Sequence, residues 1–130
     1  GALQVAHRAY ALGPPAAPRA RAEHVVARFA DARTAERAHA VLLAWQADCA
    51  RALGDEPDLR LSGLRDVGAA QHYSVAWRPE PSDARVREDI GLVRVGNRVA
   101  LVRVIAPAPA APTSRRTALG AVEAAGVRLG

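Results

Sequence analysis

The chain of 130 residues has one cysteine, no lysine and few aromatic residues, and each scarcity removes a class of protein. With Cys49 alone, no internal disulfide can form, so the core must be packed rather than stapled. On an apolar helix face a lone cysteine acts as a small hydrophobe. A nucleophilic role needs a base and an electropositive niche, and the sequence supplies neither. Aromatics make up 4% of the chain. The core must therefore come from Ala, Val and Leu, with Phe29, Trp45 and Trp77 as the few large anchors. All 18 basic residues are arginine, and they are scattered. Abundant Arg and Ala without Lys is what GC-rich coding produces. The net charge of +5 therefore does not read as a phosphate-binding stripe, and nucleic acid is not an expected partner. No run reaches the ~18 apolar residues that span a bilayer, so any membrane tether would come from segments outside this chain. Glycines are scattered at turns, with no phosphate-cradling loop. His7, His24, His39 and His72 lie on different elements without metal-ligand spacing, so neither metal nor cofactor is expected.

What is present is half hydrophobic and long enough for one domain, residues 1–130, with a buried core. Leu3–Leu12 reads as a strand, and residues 1–22 as that strand plus a loop carrying Pro14, Pro15 and Pro18. Glu23–Ala30 reads as a second strand that can pair with the first. Asp31–Leu53 is the clearest helix. Asp31 or Thr34 can cap it, and Gly54 can end it. Its inward stripe is read as Ala38, Val41, Leu42, Trp45, Cys49 and Leu53. Leu59–Leu61 reads as a short strand, and Gln71–Arg78 as a long one. Val86–Val95 and Arg98–Ile105 form a hairpin closed by Gly96-Asn97. Residues 107–112 are a Pro-rich linker to a final helix opened by Thr113 or Ser114, with Leu119 and Val122 facing inward. The order implies an α+β fold: an antiparallel sheet of about five strands with two principal helices packed on one face.

The hairpin register follows from its turn. Val95 opposes Arg98, Leu92 opposes Leu101, and Ile90 opposes Arg103. One face then carries Glu88, Ile90, Leu92, Arg94, Val99, Leu101, Arg103 and Ile105. The other carries Asp89, Gly91, Val93, Val95, Ala100, Val102 and Val104. The second face is drier and is expected to meet the helices, leaving the first as a groove. Tyr73, Trp77, Arg94 and Arg103 are the candidate ligand-binding residues. Arg103 stands mid-strand, where a charge must be paired or solvated, and Glu88 lies diagonally across from it. It is either one half of a cross-strand ion pair or a planar fork for an anionic ligand. No catalytic residue is assigned. His72 and Ser74 share a strand face but lie about 6.7 Å apart along the chain, too far for a base and its nucleophile.

Two segments carry a resemblance. One is Val41-Leu42-Leu43-Ala44-Trp45-Gln46-Ala47-Asp48-Cys49, preceded by Phe29-Ala30-Asp31. The other is Asp89–Val102 with its Val-Arg-Val-Gly-Asn turn. Together they resemble the secreted sensor-like domains of actinobacteria, which include the extracellular domains of PknH-like receptor kinases and related lipoproteins. The resemblance covers residues 20–130. It implies a non-enzymatic extracellular or cell-envelope domain, with a sheet cradled by helices and a cleft for a small ligand. The chain departs from that family in lacking a partner for Cys49, which leaves a cytoplasmic location as the alternative. Three readings follow. The first is a non-catalytic sensor-like domain that binds a small-molecule or anionic ligand. The second is a protein-interaction module that uses the same face, for example in a homodimer. The third is a small enzyme with a site the sequence does not reveal, for instance one that uses His72 and a carboxylate.

Overall fold

The computed structural model describes residues 1–14, 20–53, 56, 58–68, 70–79, 81, 84–108 and 120. One antiparallel sheet of seven strands carries one helix among the described residues. The strands are β1 (Gln4–Leu12), β2 (Ala20–Arg28), β3 (Arg60–Leu61), β4 (Arg65–Val67), β5 (Ala70–Trp77), β6 (Val86–Val95) and β7 (Arg98–Pro107), and the helix is α1 (Ala32–Leu53). Across the sheet the order is β1-β2-β7-β6-β5-β3, with β4 also paired to β5. The α+β antiparallel class stands, but with seven strands rather than five. The short strand expected over Leu59–Leu61 is β3, and the polar stretch after it adds β4, which the sequence reading did not include. The expected final helix apart from Gly120, and most of its linker, lie outside the described residues, as do Gly54 and much of the Pro-rich loop after β1.

The β6–β7 register is the one the turn dictates: Val95 opposes Arg98, Leu92 opposes Leu101 and Ile90 opposes Arg103. Gly96 takes the left-handed conformation the turn requires, with φ at 56°. Asn97 also bonds beyond the turn. Its Nδ2 donates to the carbonyl of Phe29 at 2.9 Å, and its own carbonyl accepts from the Phe29 amide at 2.9 Å. This double link holds the start of α1 against the hairpin tip. Asp31 Oδ1 then accepts from the Thr34 amide at 2.7 Å, so Asp31 is the cap.

Two expectations about α1 are overturned. The helix does not lie on the drier face. It covers the first face, with Ala35 packed on Phe29 and Val99 and its later turns above Leu92 and Leu101. The reason is that polarity on this face is segregated along the strands. The half near Gly96 carries Leu92, Val99 and Leu101 with a single charge, Arg94, beside His39 of α1, while Glu88 and Arg103 lie toward the far end. The helix needs only the apolar half, and the Phe29–Asn97 link starts it there. The second face is buried as well: Ala70, Val93, Ala100 and Val102 form a core cluster, with Val26 and Val95 packed against it. No face of the hairpin is therefore left open along its whole length.

The inward stripe of α1 is also rotated from the expected one. Ala35 is 0% exposed and Gln46 is buried, whereas Trp45 is 62% exposed and Val41 and Cys49 also lie outward. A small side chain, Ala35, is buried against Phe29 and Val99, and the large ones Val41 and Trp45 turn toward the flank.

Candidate functional site: a cavity between α1 and the sheet

Because α1 rests on Ala35 at its start and on larger side chains later, it does not seal the sheet beneath its second half. A cavity of about 260 Å³ remains there. Its walls include Leu42 and Leu53 from α1, Leu61 from β3, Val75 from β5, Leu92 from β6 and Leu101 from β7. Trp45 stands at its edge and also lines a second concavity toward the start of α1, which includes Phe29 and Val41. The polar members of the lining are Gln46, Cys49 and Tyr73. None of the described residues lining the cavity carries a formal charge at neutral pH.

Tyr73 supplies a phenolic hydroxyl to the cavity. Burial raises the pKa of its hydroxyl, Glu88 and Cys49 add to the rise, and Arg103 opposes it. The phenol therefore stays protonated and able to donate a hydrogen bond.

The four residues chosen from sequence share the first face, as their registers require. They do not converge on one point. Tyr73 lines the cavity. Arg103 grips Glu88 with Nε on Oε1, and with Nη2 on Oε2 at 3.2 Å, while its Nη1 lies 3.4 Å from Glu23 Oε2. Of the two readings of Arg103, the cross-strand ion pair is formed. Arg94 lies near His39 of α1, whose pKa is lowered by burial and then by the Arg94 charge. Trp77 pairs with Val86 at the far end of β5 and β6. Neither Arg94 nor Trp77 lines this cavity.

Sequence reasoning missed the contributions from α1 and β3 because it placed the helix on the other face. The rotated stripe holds the missed signal. Gln46 is a polar residue in phase with Ala35, Ala38 and Leu42, and it marks where α1 faces something other than a dry core.

The second face carries a polar cluster of its own. His72 and Asp89 are both 5% exposed, with His72 Nε2 3.1 Å from Asp89 Oδ1. Arg87 donates to the same carboxylate through Nε at 3.0 Å and Nη2 at 2.8 Å. Burial alone would raise the Asp89 pKa, but the bonds from His72 and Arg87 outweigh it and hold the pKa at about 2. Ser74, opposite Asp89, is engaged through its backbone. Its amide donates to Ser62 Oγ at 2.8 Å, and its carbonyl accepts from the Ser62 amide at 2.8 Å. These bonds clasp the chain after β3 onto β5.

No protein-family model and no curated protein matches this sequence. Among solved structures, the extracellular domain of PknH from Mycobacterium tuberculosis is similar, with a TM-score of 0.59 and 11% identity over 85% of this chain. The match covers 58% of that domain, so this chain spans less than two thirds of it. A protein of unknown function from Pseudomonas aeruginosa, PA94, aligns over 94% of this chain and 80% of its own, with a TM-score of 0.47 and 20% identity. The likeness to the PknH domain is one of fold. No helix among the described residues is long and apolar enough to cross a membrane.

Proposed function

We propose that the protein is a non-catalytic, extracellular sensor-like domain that binds a small neutral molecule between α1 and the sheet. The observation that carries this reading is a cavity of about 260 Å³ whose described lining is uncharged and apolar except for Tyr73, Gln46 and Cys49. A dry cavity of about 150 Å³ already holds benzene, so this one has room for one or two small rings or a short acyl chain. Apolar walls supply the affinity, and the protonated Tyr73 orients one polar group of the ligand. Arg103 keeps Glu88 occupied at the edge of the Tyr73 environment. The extracellular location rests on the fold shared with the PknH domain.

The test is a titration with small neutral aromatic and short-chain acyl compounds, followed by tryptophan emission, with Trp45→Phe identifying the reporter. The wild type should respond saturably, and Leu101→Trp, which fills the cavity, should not. A folded wild type that responds to none of them overturns the reading.

A second reading, a small enzyme, is favoured by one observation, the buried His72–Asp89 pair. It requires that His72→Asn abolish a measurable hydrolytic or proton-transfer activity. The bidentate grip of Arg87 on Asp89 instead fits a structural ion cluster.

A further inference from the structure

The two edges of the sheet are built differently. At one edge the chain is broken into β3 and β4, of two and three residues, carrying Arg60, Arg65 and Asp66. Short, charged, interrupted strands are a common guard against edge-to-edge pairing. At the other edge, β1 runs nine residues without a proline, and Arg8 is its only formally charged side chain at neutral pH. Every residue from Gln4 to Ala11 is exposed, including those on the face that α1 covers farther along the sheet. Val5 is 60% exposed and Tyr10 46%. Strand β1 therefore buries little side-chain area within the monomer, and among the described residues no strand lies beside its outer backbone groups.

We propose that β1 is a dimerisation edge whose occupant is β1 of a second copy, antiparallel and centred on Ala9. This surface is separate from the cavity, and the inference does not rest on the sensor reading. The register follows from charge. In a two-fold pairing that joins like faces of the two sheets, each residue opposes one of the same parity, and one residue lies on the axis. Centring on Arg8 sets two arginines against each other, which is repulsive. Centring on His7 sets two imidazoles together and leaves Arg8 opposite Ala6. Centring on Ala9 puts a small residue on the axis and Arg8 directly opposite Tyr10 of the second copy, twice by symmetry. A guanidinium over a phenol ring is an attractive cation–π contact. Both side chains are exposed in the monomer and free to meet. The two sheets then run on as one, with their ladder continued across the axis.

Light scattering over a wide concentration range tests this on the whole chain. The wild type should move from monomer to dimer as concentration rises. Tyr10→Arg sets arginines opposite each other and should weaken the dimer about tenfold or more, and combining it with Arg8→Glu should restore the dimer through two Glu–Arg pairs. In a Cys49→Ser background, Ala9→Cys should oxidise to a covalent dimer. A wild type that stays monomeric throughout overturns the proposal. So does a dimer indifferent to Tyr10→Arg. Circular dichroism on each variant confirms that the exposed substitutions leave the fold intact. Neither overturning result bears on the cavity.

Discussion

Replacing Asp89 by Asn should be among the most damaging isosteric changes in this protein. The carboxylate is 5% exposed and accepts from His72 once and from Arg87 twice. Its pKa falls from the ordinary 3.8 to about 2, which at about 1.36 kcal/mol per unit corresponds to about 2–3 kcal/mol of stability. The sign is that of a depressed carboxyl. The contribution is fully present above about pH 4, where the unfolded-state group is ionised, and drains away as pH falls toward about 2. Asn keeps the shape but not the charge, and it leaves Arg87 and the buried His72 with a neutral partner. Urea denaturation should therefore show Asp89→Asn less stable than wild type by about 2–3 kcal/mol at about pH 7. The gap should narrow by more than half near pH ~2.5, because the wild type loses the same interaction there. A gap below about 0.5 kcal/mol at neutral pH, the size of an ordinary surface substitution, would refute the reasoning. So would a gap that persists undiminished in acid.

Other substitutions probe the remaining joints. Asn97→Ala removes the Nδ2 bond to the Phe29 carbonyl and should cost about 1–2 kcal/mol in denaturant melts, with hydrogen exchange speeding up first at the start of α1. Asp31→Ala deletes the helix cap and should cost about 1 kcal/mol by the same melts. Arg103→Gln leaves the buried Glu88 without its cation. Because Arg103 is 38% exposed, solvent screening limits the expected loss to about 1–2 kcal/mol, and binding of neutral compounds in the cavity should persist.

The sequence was legible where backbone sterics or strict periodicity decided the outcome. Gly96 fixed the hairpin, and from that turn the whole β6–β7 register and the diagonal Glu88–Arg103 pair followed. The β1–β2 pairing and the span of α1 were legible for similar reasons: alternation in the strands, and Asp31 in the helix. The face on which α1 lies was not. Counting polar residues over a whole strand face hid that Glu88 and Arg103 pair with each other at one end, leaving Leu92, Val99 and Leu101 with Arg94 as the only charge beside them. The helix stripe was misphased because it was weighted toward large side chains such as Trp45, whereas close packing placed Ala35 at the contact. The cavity was illegible for the same reason, since it exists only where these two unforeseen choices meet. The His72–Asp89 pair needed the β5–β6 register, which no short turn between those strands specifies.

If the space beneath α1 is a binding site rather than a packing defect, a ligand must perturb the side chains that wall it. Methyl NMR spectra of the Leu and Val side chains, recorded during titration with a small neutral aromatic such as indole, test this most directly. Saturable shifts are expected at Leu42, Leu92 and Leu101, with unmoved signals at Val102 and Val104 on the opposite face and loss of the shifts in Leu101→Trp. Shifts absent from the three leucines, or equal on both faces of the sheet, would contradict a binding role for the cavity.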